Sequence, residues 1–144
     1  MTNSQNPPSD SSIAIQVAVV GAHLTGQPLN HQLTSRNATL VKATHTAPIY
    51  KLFALAGTVP AKPGLVRVDP NLEQGVSIEV EVWAMSESAF GSFVAEIPSP
   101  LGIGTLILED NESVKGFICE PYGLINVRDI SSYGGWRAYL ADLA

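Results

Sequence analysis

The sequence predicts an α+β fold: a small mixed sheet or barrel carrying a few short helices. Three observations predict it. Strand-like segments outnumber helical ones, the helices do not alternate regularly with strands as a doubly wound sheet requires, and proline and glycine break the chain between short apolar runs. The length of 144 residues suits one domain. A chain of that size buries roughly two-thirds of its unfolded surface, enough for a core without disulfide or metal staples. Residues 1–12 are polar, with Pro7, Pro8 and several serines, and read as a disordered tail. Residues 13–144 read as the single folded unit.

Residues 13–20 are nearly all apolar, the pattern of a central strand. Residues 29–36 place Leu29 and Leu33 on one face of a short helix. Residues 38–43 and 50–55 read as two further strands, the second with Tyr50, Leu52 and Phe53 as packing residues. Pro60, Pro63 and Gly64 keep residues 57–65 irregular. Residues 77–84 alternate: Ile78, Val80, Val82 and Ala84 take one face, and Glu79, Glu81 and Trp83 the other, which predicts a half-buried strand with solvated glutamates. Ser86 is placed to cap a helix whose apolar face is Phe90, Phe93, Val94 and Ile97, with Pro98 and Pro100 ending it. Residues 104–108 and 113–119 form a hairpin about the turn Glu109-Asp110-Asn111-Glu112. A last short helix follows Tyr133-Gly134-Gly135-Trp136 and ends near Leu140.

Composition removes several function classes. The chain has 8 basic and 13 acidic residues, a net charge of −5, and its basic residues are scattered, which argues against a nucleic-acid partner. No apolar run reaches membrane-spanning length and the start lacks a signal-peptide pattern, so no membrane is expected and the location reads as cytoplasmic. Cys119 is the one cysteine and reads as a buried small hydrophobe. No pair of histidines has metal-ligand spacing beside a carboxylate, and no Gly-x-Gly-x-x-Gly follows the first strand; no metal and no cofactor are expected.

The segment with the most chemistry is Val20-Gly21-Ala22-His23-Leu24-Thr25-Gly26-Gln27-Pro28-Leu29-Asn30. A strand empties here into a loop that opens a short helix, an arrangement whose backbone amides make an anion site. Gly21, Ala22 and Leu24 are the candidate backbone donors, and His23 the candidate proton-transfer group. Tyr50 is a candidate hydrogen-bond donor, and Arg67, just after Lys62-Pro63-Gly64-Leu65, a candidate forked contact to a carboxylate. His31 and His45 read as surface residues, and Trp83 and Trp136 as packing residues.

Four blocks in order carry a resemblance: Val20 to Asn30; Lys62-Pro63-Gly64-Leu65; Pro98-Ser99-Pro100-Leu101-Gly102-Ile103-Gly104; and Tyr133-Gly134-Gly135-Trp136-Arg137-Ala138-Tyr139. Together they resemble the C-terminal domain of allophanate hydrolase over nearly the whole folded chain. The resemblance implies a gamma-glutamylcyclotransferase-like fold. It also implies action on N-carboxycarbamate, the product of allophanate deamination, whose decarboxylation the domain promotes in urea and allophanate degradation. The histidine of the Gly-Ala-His-Leu block, carried over as His23, is then the essential residue and the ligand a small dicarboxylate or carbamate-type anion. The amidase domain of that enzyme has no counterpart here, so the chain reads as a free-standing relative or an excised piece served by a separate amidase, with a homodimer as a further expectation. Two alternatives stand beside this. One is a non-catalytic module that docks an amidase or a second copy through residues 77–84 and 86–97. The other is a cyclotransferase using Glu96, which precedes Ile97-Pro98 much as that family's catalytic glutamate ends a helix, although Val20-Gly21-Ala22-His23 replaces that family's Tyr-Gly-Ser-Asn-like loop.

Overall fold

The structure, a computed structural model, describes residues 14–144; the tail expected over residues 1–12 lies outside them. Its strands are β1 (Ala14–Val19), β2 (Thr39–His45), β3 (Tyr50–Ala54), β4 (Pro63–Arg67), β5 (Glu79–Ser86), β6 (Leu101–Ile107), β7 (Ser113–Cys119) and β8 (Arg128–Asp129). Its helices are α1 (His31–Thr34), α2 (Glu87–Ala95) and α3 (Trp136–Leu143), with short 3-10 turns at Pro121–Leu124 and Ser131–Tyr133. The α+β expectation holds, in the form of two open sheets rather than a closed barrel: a five-stranded sheet ordered β2-β5-β1-β7-β6 and a three-stranded sheet ordered β4-β3-β8.

β1 is central, antiparallel to β5 and parallel to β7. Its apolar run is covered on both faces, and Val17, Ala18 and Val19 are fully buried. The β6–β7 hairpin pairs Leu101 with Cys119 through to Ile107 with Ser113, so β6 starts three residues before the sequence suggests. Ser86 caps α2 by accepting a hydrogen bond from the Ala89 amide (3.1 Å). Between residues 57 and 65 the expected irregular segment gives way to β4. Pro63 opens that strand, the position where a missing N–H costs least, and pairs with Ala54 on β3.

The smaller sheet packs on the larger with β4 against β7. Tyr50 links the two sheets: its side chain is fully buried and its hydroxyl accepts a hydrogen bond from the Ile107 amide on β6 (2.9 Å). This corrects the expectation that Tyr50 serves a ligand, because the hydroxyl is fully buried between the sheets against a backbone amide.

A second correction concerns β5. Alternation places Glu81 in water, yet it is buried, beside Trp83 on the same face, because β5 is an interior strand flanked by β1 and β2 with elements covering both faces. For the same reason β5 offers no free edge for docking a partner. Glu81 is satisfied in full. Its Oε1 accepts from the Thr25 amide (2.8 Å), the Thr25 hydroxyl (3.0 Å) and the Trp83 indole N–H (3.1 Å), and its Oε2 from Arg137 (2.8 Å). Arg137 also donates to the Thr25 carbonyl (2.9 Å) and pairs with Glu79 (3.3 Å). Burial by itself would raise the Glu81 carboxyl. The Arg137 guanidinium and the donors from Thr25 and Trp83 outweigh it and hold the group below its ordinary value of 4.5.

Two outcomes are expected. Tyr50→Phe leaves the Ile107 amide without its partner and lowers stability by about 1–3 kcal/mol in urea unfolding. Glu81→Gln removes the charge beside Arg137; the guanidinium is partly exposed, so the loss is about 2 kcal/mol rather than the larger cost of breaking a fully buried pair. Glu81 binds its proton less tightly when folded, so its stabilisation is complete above pH 4.5 and fades as pH falls through the depressed folded value. The acid limb of a stability–pH curve is therefore flatter in Glu81→Gln than in the parent.

Candidate functional site

β1 ends at Val19 and the chain turns through residues 20–30 before α1. The turn is tightly tied: the Leu24 amide donates to the Gly21 carbonyl (3.0 Å), the Leu29 amide to the Ala22 carbonyl (2.8 Å), and the Asn30 side chain to the His23 carbonyl (2.9 Å). The Glu81–Arg137 clamp grips the next residue, Thr25, by both its N–H and its C=O. Gly21 permits the close approach that makes a site. A Cβ there would sit 2.2 Å from Cδ of Pro63, so only glycine lets the loop lie against the start of β4. The residue before Pro63 is Lys62.

The result is a tight cavity lined by the backbone of residues 20–22, by His23 and Lys62, and by Pro63, Leu101 and Phe117. Its interior admits a water-sized sphere over only ≈ 10 Å³, room for about one water molecule. Leu101 is half-buried; the other lining residues are buried.

His23 is 7% exposed. Its ring stacks on Phe117 at 5.0 Å between centroids and meets Phe93 of α2 edge-on at 5.1 Å. Its Nε2 is 2.8 Å from Oε1 of Gln32 on α1. An amide oxygen is an acceptor only, so Nε2 carries the hydrogen. Nδ1 has no hydrogen-bond partner among the described residues. Burial lowers the imidazole below its ordinary 6.5; the Gln32 hydrogen bond works the other way, and positive charge at Lys62, His31 and Arg36 adds to the lowering. The resting ring is a neutral imidazole.

Lys62 is also 7% exposed. Among the described residues its ammonium has neither an ion pair nor a hydrogen bond, although a buried amine ordinarily has both. The amides of Gly21, Ala22 and His23 likewise have no hydrogen-bond partner among the described residues. The cavity therefore gathers an unpaired cation, free N–H donors and a neutral histidine, with no carboxylate in its lining. Such a set suits a small anion.

The structure places the other candidates elsewhere. Leu24 adjoins the cavity in sequence, but its amide is spent on Gly21 and its side chain is fully buried. Arg67 is exposed at the far end of β4 from Lys62, pairing across from Tyr50. Four residues of strand separate it from Pro63, about 13 Å. Glu96 is exposed at the end of α2 and bound to Arg36 at 2.6 Å, outside the cavity lining. The Cys119 thiol is buried, which pushes it up, and nearby Glu120 pushes it the same way, so nothing activates it as a nucleophile. His45 and His31 are exposed. Among the described residues no cluster of His, Cys, Asp and Glu could hold a metal ion, and no helix is long and apolar enough to cross a membrane. Lys62 and Gln32 are the site members that residue-by-residue reading passed over. The signal for Lys62 was its place in the Lys62-Pro63-Gly64-Leu65 block.

Comparison with known proteins places this chain in a family. The allophanate hydrolase C-terminal domain family matches residues 15–141. The urea amidolyase of Saccharomyces cerevisiae is 47% identical over 140 residues, covering 95% of this chain and 8% of that protein. Allophanate hydrolase from Kluyveromyces lactis superposes with a TM-score of 0.87 at 41% identity, covering 99% of this chain and 23% of that one. This chain thus spans under a tenth of the curated relative and under a quarter of the solved one. A gamma-glutamyl cyclotransferase superposes with a TM-score of 0.55 at 11% identity, over 81% of this chain and 70% of that one, a likeness of fold alone. The chain belongs to the allophanate hydrolase C-terminal domain family.

Proposed function

We propose that this domain binds a small dianion at the His23 cavity and decarboxylates N-carboxycarbamate in urea and allophanate degradation. The observation that carries the reading is Lys62, a buried residue lining the same cavity as His23 whose side chain has no ion pair or hydrogen bond among the described residues. Burying an amine without a counter-charge is costly, and a bound carboxylate supplies the missing charge. One carboxylate of the substrate pairs with Lys62 and accepts from the amides of Gly21, Ala22 and His23. The second leaves. Its C–N bond breaks, CO2 departs, the electron pair stays on nitrogen, and His23 delivers a proton to that nitrogen, so that carbamate remains. The apolar wall of Phe117, Pro63 and Leu101 favours loss of charge as neutral CO2 and strengthens the remaining ion pair. The substrate needs more room than one water, and half-buried Leu101 is the lining side chain free to yield it.

The names of the matched proteins, urea amidolyase and allophanate hydrolase, support this reading, and an amidase region or partner would supply the substrate. The cyclotransferase alternative loses its ground, since Glu96 is committed to Arg36 away from the cavity.

The test is CO2 release from N-carboxycarbamate generated by a separate amidase. His23→Ala is expected to slow turnover by about 10²- to 10⁴-fold. Lys62→Met should abolish detectable binding of malonate, a stable dicarboxylate, while the protein remains folded, because a methionine tolerates burial better than an unpaired amine. Turnover in His23→Ala equal to that of the parent would reject the assignment.

A further inference from the structure

Resting on the anion-site reading above, we infer that the dianion draws its own proton into the cavity: Gln32 holds His23 by Nε2–H, leaving Nδ1 bare, and ligand binding is coupled to protonation of Nδ1 from solvent. Gln32 is thereby a positioning residue.

The geometry begins with the 2.8 Å contact from Nε2 of His23 to Oε1 of Gln32. A neutral imidazole has one ring hydrogen, and this contact fixes it on Nε2. The Gln32 backbone carbonyl accepts from Arg36 at 2.9 Å, which ties the residue's main chain to the turn after α1. Nδ1 is then a buried acceptor without a partner among the described residues, on a ring that lines the cavity. In that state it cannot protonate anything.

The groups facing the ring from each neighbouring element agree in sign. From α1 and the turn after it come His31 and Arg36, and from the loop before β4 comes Lys62. α2 contributes the Phe93 ring, and its C-terminal carboxylate, Glu96, is bound to Arg36. β7 contributes the Phe117 ring. Among the described residues no free carboxylate faces the imidazole, so the cavity without a ligand resists a further positive charge. A dianion reverses this. One of its charges offsets Lys62, and the other stabilises an imidazolium whose new Nδ1–H donates to the ligand in a charge-assisted bond. The proton balance is simple: one proton passes from water to Nδ1 as the dianion enters, and the same proton passes to the substrate nitrogen as CO2 leaves. A monoanion offsets Lys62 alone and gives the ring no comparable gain, so the device also selects for doubly charged ligands.

The experiment is calorimetric titration of the 144-residue chain with malonate and with acetate. It is run in two buffers of different protonation enthalpy, about one unit above the ordinary histidine value of 6.5. The expected result is uptake of close to one proton per malonate bound, little uptake with acetate, and a decline in malonate-linked uptake as pH falls below the depressed value of the free ring. Gln32→Glu places a carboxylate beside Nε2–H and charges the ring before the ligand arrives, so uptake should vanish while malonate still binds. Nitrogen NMR of His23 in the parent gives a reading that needs no variant: Nδ1 changes from bare to protonated on malonate addition, and Nε2 keeps its hydrogen. Malonate binding without proton uptake overturns the inference and leaves the anion site standing. Uptake in Gln32→Glu equal to the parent's overturns the role of Gln32. Absence of malonate binding in either buffer removes the anion site, and the inference with it.

Discussion

The buried Glu81 carboxylate is the constraint from which the rest of the molecule is organised. It sits on an interior strand, where an ionised group without partners would be costly. It survives there because four hydrogen bonds reach it from three separate parts of the chain: Thr25 in the loop after β1, Trp83 on its own strand and Arg137 on the last helix. The same contacts that satisfy the charge fix where the loop after β1 may run. His23 lies two residues before the gripped Thr25, so its position is set by a cluster that never touches the cavity.

From that anchored loop the site follows by close approach. Gly21 lets the loop meet Pro63, and Pro63 brings Lys62. Two aromatic rings close over the imidazole and keep water out. The outcome is a region with positive charge and no internal compensation, held open by packing. Small proteins rarely leave a buried amine without a partner, and Lys62 has none among the described residues.

Much of this was legible in the residues. The nearly all apolar run of β1 announces a central strand, the acidic turn announces the β6–β7 hairpin, and Ser86 announces the start of α2, all from local chemistry. The His23 loop was legible as well, from its place at the exit of an apolar strand. What failed was whatever depends on distant neighbours. Alternation in β5 says only that two faces differ; it does not say that both are covered, so Glu81 read as solvated. Its partner Arg137 lies 56 residues away in sequence. Lys62 opens the Lys62-Pro63-Gly64-Leu65 block and Arg67 lies two residues beyond it, yet the strand between them carries Arg67 out of range. Tyr50 has the right chemistry for a ligand contact, and its hydroxyl goes instead to a backbone amide in the other sheet. Here proximity in three dimensions decides, and a strand of five residues is enough to reverse a reading.

The order of strands has a consequence for how the molecule is made. β1 is the earliest strand of the described chain, but its neighbours are β5 and β7, which end at Ser86 and Cys119. Its buried valines thus emerge from the ribosome long before anything can cover them. One edge of β1 waits about 67 further residues for β5 to be complete, and the other about a hundred for β7. Nascent chains of this domain therefore depend on shielding during translation, and the sheet closes late, around the strand that appeared first.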